Sequence, residues 1–148
     1  MSETISSFLT QDHRACDEEF ANMENAVASE DWAKAEELFN KFSTDLEHHF
    51  SMEEQIMFPA FETRTGMTGG PTAMMRMEHE QMRSILTQLN TAKNNKDKDN
   101  FFGVSESLMM LMQQHNMKEE QMLYAMADSH LAGDAALVVE EMKGLQKA

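Results

Sequence analysis

The chain has 148 residues, enough to bury a core of its own, and we expect one domain over residues 1–148. Its formal net charge of −14 leaves no basic stripe for phosphates, which argues against a nucleic-acid partner. There is no apolar run of membrane-spanning or signal-peptide length, and the single cysteine excludes an intramolecular disulfide, so we expect a soluble, cytoplasmic protein without a membrane partner.

Two breaks divide the first half of the chain into helical segments. Residues 28–31 read Ala-Ser-Glu-Asp, a tight turn in which Ser29 or Asp31 caps the following helix. Residues 65–70 form a glycine-rich loop, and Pro71 after it suits a first helical position. We therefore expect two long helices before this loop and a third beginning after it.

The second half adds one more long helix and a short tail. A polar loop with a capping aspartate occupies residues 94–99, and Gly133 precedes a short amphipathic segment, residues 134–145. Pro59, late in the second helix, is expected to kink or end it. The pattern predicts an all-α fold, an antiparallel up-down-up-down four-helix bundle over roughly residues 5–130 with a short C-terminal helix.

Each predicted helix carries a seam of residues spaced alternately three and four apart, which is the spacing that faces a bundle core. Helix by helix, the seam residues are Leu9, His13, Cys16, Phe20, Met23, Val27; Trp32, Ala35, Phe39, Phe42, Leu46, His49, Glu53, Ile56, Ala60; Met75, His79, Met82, Leu86, Leu89; and Phe101, Val104, Leu108, Leu111, His115, Glu119, Met122, Met126. Apart from the cysteine, four histidines and two glutamates interrupt the apolar pattern, with at least one histidine in every helix.

The two glutamates on these seams need a compensating positive charge. Glu53 follows His49 by one turn on the same face, and Glu119 follows His115 in the same way. Burying an ionised carboxylate without a partner is prohibitively costly, and no lysine or arginine occupies the seams. A multivalent cation between the helices supplies the missing charge.

Position along the bundle supports one shared site. With a rise of about 1.5 Å per residue, the six polar seam residues fall within about one or two helical turns of one level. The predicted metal ligands are His13, His49, Glu53, His79, His115 and Glu119. His48 lies off the seam and His130 near the end of the fourth helix, so neither is predicted to take part. A metal-free network of hydrogen bonds, within an interaction bundle, is the alternative.

The donor set indicates the metal. Mixed imidazole and carboxylate donors, enough for two ions, favour iron, manganese or zinc over calcium or magnesium. A structural zinc site needs about four ligands and usually includes cysteine. Sixteen methionines are expected to fill the core, the alternative being a thioether copper(I) site that leaves the histidines unexplained.

Four short motifs give the sequence a resemblance to a known family. They are Asp-His-Arg at 12–14, His-His-Phe-Ser-Met-Glu-Glu at 48–54 followed by Phe58-Pro59, Glu-His-Glu at 78–80, and His-Asn-Met-Lys-Glu-Glu at 115–120. In this order they resemble the hemerythrin-like, or HHE cation-binding, family over roughly residues 5–130. The resemblance implies two iron ions under an oxo or hydroxo bridge, terminal histidines, and bridging by Glu53 and Glu119. Manganese and zinc are possible substitutes.

Two departures bear on oxygen carriage. Oxygen-carrying hemerythrins have a second histidine one turn along the third helix, where this chain has Arg83, either a surface residue or a partner for an anionic ligand. The last carboxylate fits a spacing of four (Glu119) rather than five (Glu120). Four imidazoles, two carboxylates and a shared bridge fill about ten of about twelve positions, leaving about two for water, another side chain or a small ligand, whereas a five-histidine site leaves about one, the oxygen pocket. Tyr124, slightly more than one turn beyond Glu119, is close enough in sequence to approach the metals but is not among the predicted ligands.

The functional prediction is a cytoplasmic binding or sensing module for a diatomic ligand, O2 or NO, at a di-iron centre. The close alternative is a di-iron enzyme that reduces peroxide or nitric oxide, or serves iron–sulfur repair. The resemblance makes repair less favoured, because repair proteins carry an extra cysteine-bearing N-terminal segment that we do not find here. Ferroxidase or iron-storage function is a remote alternative, since those sites use Glu-x-x-His motifs. The sequence predicts no particular redox partner.

Overall fold

The computed structural model describes residues 3–147, and within that range the chain is helical with no strand. The α-helices are α1 Ile5–Ala28, α2 Trp32–Met52, α3 Phe58–Thr65, α4 Pro71–Asn94, α5 Lys98–Lys118, α6 Tyr124–His130 and α7 Ala135–Lys143. Single π-helical turns, Glu53–Met57 and Glu119–Leu123, join α2 to α3 and α5 to α6. The predicted four-helix architecture with a short C-terminal helix is confirmed. Of the single-domain prediction, residues 1, 2 and 148 lie outside the described residues.

The breaks between helices have the predicted caps. Asp31 accepts a hydrogen bond from the backbone N–H of Lys34 at 3.1 Å, and Asp97 accepts one from the backbone N–H of Asn100 at 3.2 Å. Pro71 is the first residue of α4, where its missing N–H costs no intrahelical bond. Each side-chain cap contributes about 1 kcal/mol to its helix. The helices α2, α4 and α5 therefore begin where the capping residues and the proline predict.

Two apolar clusters fill the interior, one at each end of the bundle. The cluster beside the α1–α2 and α4–α5 turns includes Cys16, Phe20, Met23, Phe42, Leu89 and Leu108. The cluster at the opposite end, which α7 closes, includes Leu9, Phe58, Phe61, Leu123, Val138 and Met142. The predicted histidines and glutamates lie between them. None of the helices in residues 3–147 combines the length and the apolar character needed to cross a bilayer.

The π-helical turns change which residues face the core after the two glutamates. Each turn contains one extra residue, so the side chains that follow are rotated relative to a continuous α-helix. The buried residues that end the turns or follow them include Met57, Phe58, Phe61, Leu123, Tyr124 and Ala127. The seam prediction is wrong for Met122, which is 62% exposed, while Ile56, Ala60 and Met126 are only partly buried.

Pro59 does not end the second predicted helix, which continues beyond α2 through the π-helical turn and α3 to Thr65. The proline lies in the first turn of α3, directly after the π-helical turn Glu53–Met57. The matching turn Glu119–Leu123 is followed by no proline. Proline is therefore not the common cause of the two turns, whereas a glutamate at the first position is common to both.

Several methionines lie on the surface rather than in the core. Met74, Met77, Met110, Met117 and Met122 are between 48% and 62% exposed. Other methionines, such as Met23 and Met82, are buried as expected. The prediction that methionine fills the core is therefore wrong for the exposed group.

Candidate metal centre

All six predicted residues lie together in the middle of the bundle. The first and third long helices, α1 and α4, each supply one of them, and the chain at the ends of α2 and α5 supplies two each. Their side chains are almost fully buried, and His13, the most exposed of the six, is only 3% exposed. Potential ligand atoms of Glu53, His79, His115 and Glu119 form one compact group, and those of His13, His49 and Glu119 form a second. Glu119 belongs to both groups, so the two lie side by side.

The four histidines form two pairs. His13 of α1 and His49 of α2 have ring centroids 4.5 Å apart, and we call them the α1/α2 pair. His79 of α4 and His115 of α5 have centroids 4.9 Å apart, and we call them the α4/α5 pair. Each pair comes from two consecutive antiparallel helices.

The two buried glutamates lie between the pairs. Oε1 of Glu53 is 3.1 Å from Nε2 of His79 and 3.5 Å from Nε2 of His49. Oε1 of Glu119 is 3.1 Å from Nε2 of His115 and 3.1 Å from Nε2 of His13. Each carboxylate thus contacts one histidine of each pair, the arrangement that a bridging carboxylate requires.

Several of these atoms are buried without a hydrogen-bond partner among the described residues. They are Nε2 of His49, His79 and His115, Oε1 of Glu53 and Oε2 of Glu119. The short contacts between them lack the alignment of hydrogen bonds. An unsatisfied buried polar atom costs about 1–3 kcal/mol, more when charged, and all of these atoms face the same small volume. Lone pairs of imidazole and carboxylate converging in this way fit a metal ion.

The other ring nitrogen of every histidine is occupied by a carboxylate. Nδ1 donates in each case, over distances of 2.6–2.8 Å; the pairs are His13 with Glu120, His49 with Asp12, His79 with Glu54, and His115 with Glu78. Such an outer carboxylate fixes the ring orientation and the tautomer, so that Nε2 presents its lone pair inward. The four histidines are therefore held in the form that binds a metal.

Cations stand behind three of these outer carboxylates. Arg14 binds Glu120 with an N–O distance of 2.8 Å, and Lys118 binds Glu78. Arg83 binds Glu54 at 3.0 Å. Burial alone would raise the pKa of Glu54, but the hydrogen bonds from His79 and Arg83 outweigh it and lower that pKa to about 2.

Arg83 has neither of the two roles considered from the sequence. Its side chain is 23% exposed, and its guanidinium binds Glu47 at 2.9 Å and Glu80 at 2.5 Å besides Glu54. It therefore does not reach into the His/Glu cluster. Its contact with the cluster is indirect, through the carboxylate of Glu54 that orients His79.

The buried charges perturb one another strongly. Burial and the charge of Glu119 raise the pKa of Glu53. Burial also acts to raise the pKa of Glu119, but its close contacts with Glu53, His115 and His13 bring that pKa well below its usual range. Burial acts to lower the pKa values of His49 and His79, yet the neighbouring carboxylates raise both to about 9. The neighbouring carboxylates therefore favour the protonated forms of His49 and His79 when no metal is bound.

Sequence reasoning left Tyr124 out, and the structure places its hydroxyl inside the cluster. The hydroxyl donates to Oε2 of Glu53 at 2.7 Å and lies 3.0 Å from Oε1 of Glu119 and 3.1 Å from Nε2 of His13. The side chain is fully buried. The π-helical turn Glu119–Leu123 directly before it turns the side chain inward, and the spacing of residues in the sequence does not predict that turn.

The site repeats one pattern twice along the chain. The interval from His13 to His49 equals the interval from His79 to His115, and a glutamate begins a π-helical turn four residues after the second histidine each time. The outer carboxylates Asp12, Glu54, Glu78 and Glu120 sit directly beside the predicted ligands in sequence, in matching places of the two halves. That adjacency is the signal that would have found them.

The remaining histidines are elsewhere. Nε2 of His48 contacts the backbone carbonyl of Leu145 at 2.9 Å, and His130 is exposed at the end of α6. Neither contributes an atom to the two ligand groups.

Comparison with known proteins agrees with this geometry. The sequence model of the Hemerythrin HHE cation binding domain matches residues 4–127. A hemerythrin-like protein of Schizosaccharomyces pombe is 29% identical over 134 residues, which cover 90% of this chain. The chain spans 64% of that relative's length. No solved structure matches the chain.

Proposed function

The chain belongs to the hemerythrin HHE cation-binding domain family, and we propose that its His/Glu cluster holds two iron ions and binds a small diatomic ligand, O2 or NO, as a binding or sensing module. The observation that carries this proposal is the convergence of buried imidazole nitrogens on two shared carboxylates. Three of those nitrogens have no hydrogen-bond partner among the described residues.

Two ions suit the arrangement better than one. The α1/α2 pair would bind one ion and the α4/α5 pair the other, while Glu53 and Glu119, each in contact with both pairs, would bridge them. One cation could not be bound by all six side chains without leaving part of this buried charge unmatched.

Iron is the metal we propose, with manganese or zinc as possible substitutes. Imidazole suits zinc, copper, iron and nickel, whereas carboxylate suits the harder cations, and iron accepts both. The cluster lacks a thiolate, because the cysteine of the described chain, Cys16, lies in the neighbouring apolar cluster. When bound, two iron ions supply redox-active centres with the electrons needed to hold O2 or NO.

The ligand we propose is small and uncharged because the site is both incomplete and closed. Four imidazoles and two carboxylates offer about eight donor atoms for about twelve positions, and a shared bridge occupies about two more. Among the six side chains only His13 exceeds 2% exposure. A charged or bulky substrate would have to displace the packed helices to reach these atoms.

The chain's own residues keep the centre rigid and dry. Phe50 stacks on the ring of His79 with centroids 4.1 Å apart, and Phe58 lies on the same ring at 5.8 Å. Outer carboxylates hold the imidazoles in one tautomer, so little reorganisation is needed when a ligand binds.

As expected from the sequence, we propose the cytoplasm as the location, since an unpaired buried cysteine suits a reducing compartment.

The experiment is a titration of the iron-loaded, reduced chain with NO and with O2. We expect about two irons per chain and stoichiometric, saturable binding of one of the gases, followed by its optical spectrum. Repeated consumption of NO or of peroxide would assign the enzymatic alternative instead. An iron-loaded chain that responds to neither gas would contradict the proposal.

A further inference from the structure

We propose that Tyr124 is itself a ligand, bound to the ion of the α1/α2 pair, and that the small diatomic molecule consequently binds the ion of the α4/α5 pair. This inference depends on the proposed two-ion centre and deepens it. It assigns different roles to two metal positions that the histidine pattern alone leaves equivalent.

The hydroxyl of Tyr124 stands at ligand spacing from three potential ligand atoms. Its distances to Oε2 of Glu53, Oε1 of Glu119 and Nε2 of His13 are 2.7, 3.0 and 3.1 Å. Around a cation with bonds of about 2.1 Å, neighbouring octahedral ligands stand roughly 3.0 Å apart. A hydroxyl that only supported one ligand would not need to lie at this distance from three of them.

The equivalent position in the other half of the site has no hydroxyl. Tyr124 follows the turn Glu119–Leu123 as Phe58 follows the turn Glu53–Met57. The ring of Tyr124 lies 5.6 Å from that of His13 at an interplanar angle of 27°. The ring of Phe58 lies 5.8 Å from that of His79 at 19°. The two aromatic residues occupy matching places, so the phenol oxygen distinguishes the α1/α2 side.

The number of donor atoms available to each ion determines where an exogenous ligand can bind. Each ion would receive two imidazole nitrogens and one oxygen from each shared glutamate, about four of about six positions. A bridging oxygen atom common to both ions would fill a fifth. The phenol oxygen of Tyr124 would complete the ion of the α1/α2 pair and leave one position on the ion of the α4/α5 pair. Phe50 and Phe58, which pack on His79, make that side apolar and suited to an uncharged diatomic molecule.

Coordination replaces one bond by another without redox chemistry. The O–H bond of Tyr124 would be exchanged for a bond from oxygen to iron, and the proton would be released to solvent while the metal is loaded, together with the protons displaced from the other ligands. The oxidation state of the iron does not change in this step.

The test uses the fully loaded chain oxidised to iron(III), in which a bound phenolate gives a visible charge-transfer absorption and resonance-enhanced tyrosine ring vibrations. The chain contains one tyrosine, so these signals can come only from Tyr124. We expect both signals in the unmodified chain. In Tyr124→Phe we expect both to vanish while about two irons per chain remain, since six other ligands are kept.

Phe58→Tyr is the matched variant for the second half of the proposal. It places a hydroxyl beside His79, where we expect it to compete with the exogenous ligand and weaken NO binding to the reduced chain at least tenfold. Tyr124→Phe is expected to bind NO at least as tightly as the unmodified chain. Unchanged NO affinity in a folded, loaded Phe58→Tyr chain would overturn the assignment of the ligand to the α4/α5 side.

The two proposals fail in different ways. A chain that carries two iron(III) ions but shows no tyrosine ring vibrations would overturn the role of Tyr124 and leave the proposed function intact. This measurement needs no variant to fold. A chain that takes up no iron would end both.

Discussion

Glu54 accepts a hydrogen bond from Nδ1 of His79 over 2.6 Å, and the same contact pattern recurs on every histidine of the cluster. Four rings are thereby turned with Nε2 towards two buried carboxylates. A structural hydrogen-bond network would use both nitrogens of each ring, whereas here three of the inner nitrogens have no hydrogen-bond partner in the part of the chain that the structure describes.

Removing the charge of an outer carboxylate should weaken metal binding without removing a ligand. Glu54→Gln keeps the shape of the side chain but loses the carboxylate that orients His79. We expect about a 10- to 100-fold loss of iron affinity, measured by competition with a chelator. Glu80→Gln is the matched control, because Glu80 also binds Arg83 but is exposed and touches no histidine. Equal affinities of the two variants would contradict the orienting role.

Removing a proposed ligand should lower iron content directly. In His49→Ala or Glu119→Ala we expect iron to fall from about two per chain to about one or less, because each side chain supplies donors that no neighbour replaces. His48→Ala and His130→Ala remove histidines outside the cluster and should keep wild-type iron content. Elemental analysis decides the matter. If all four variants keep their iron, the ligand assignment is wrong.

The metal-free chain should lose stability as pH rises. The pKa values of His49 and His79 are raised from 6.5 to about 9 in the folded state, so their contribution is fully present below the unfolded value and is lost as pH rises through 9. Urea unfolding at about pH 6 and about pH 9 should show the lower free energy of unfolding at the higher pH. Bound metal requires neutral imidazoles, so the loaded chain should lose less. Equal or greater stability of the metal-free chain at the higher pH would refute this.

The contribution of Glu54 to stability has the opposite pH dependence. The pKa of Glu54 is lowered from 4.5 to about 2, so its contribution is present above the unfolded value and is lost as pH falls through 2. Glu54→Gln should therefore flatten the acid limb of the stability curve of the metal-free chain between about pH 4.5 and pH 2. An acid limb identical to that of the unmodified chain would show that the ion pairs of Glu54 do not contribute.

A change in the apolar cluster beside the α1–α2 turn should lower the stability of the fold without lowering its iron content. Leu108 is fully buried in the cluster beside the α1–α2 turn, so Leu108→Ala should cost about 2–5 kcal/mol in the free energy of unfolding. Iron content per folded chain should stay at about two, since no ligand is touched. Leu137→Ala, at a position 59% exposed on α7, is the control and should change stability by less than about 0.5 kcal/mol. Loss of iron in folded Leu108→Ala would show that the centre depends on this end of the bundle.

Helix order and the position of the site along the bundle could be predicted because both depend on local or periodic signals. Caps such as Asp31 and Asp97 fix where helices begin, and a constant rise per residue fixes the level of His13 relative to His49. That constant rise predicts that all six polar seam residues lie at one level of the bundle, and in the structure they lie together.

What the sequence could not show depends on the two π-helical turns. An extra residue after Glu53 and after Glu119 rotates everything that follows, which moves Met122 to the surface and Tyr124 into the cluster. A prediction from residues spaced three and four apart assumes an uninterrupted α-helix, so it cannot include that inserted residue. The partners of the histidines were missed for another reason: Glu54 and Glu120 lie off the seam and reach histidines of other helices.

Anomalous diffraction at the iron absorption edge, from crystals of the iron-loaded chain, tests the central claim most directly. We expect two peaks, one beside His13 and His49 and one beside His79 and His115, with Glu53 and Glu119 between them. No peak among these residues in fully loaded crystals, or Glu53 and Glu119 turned out into water, would contradict it.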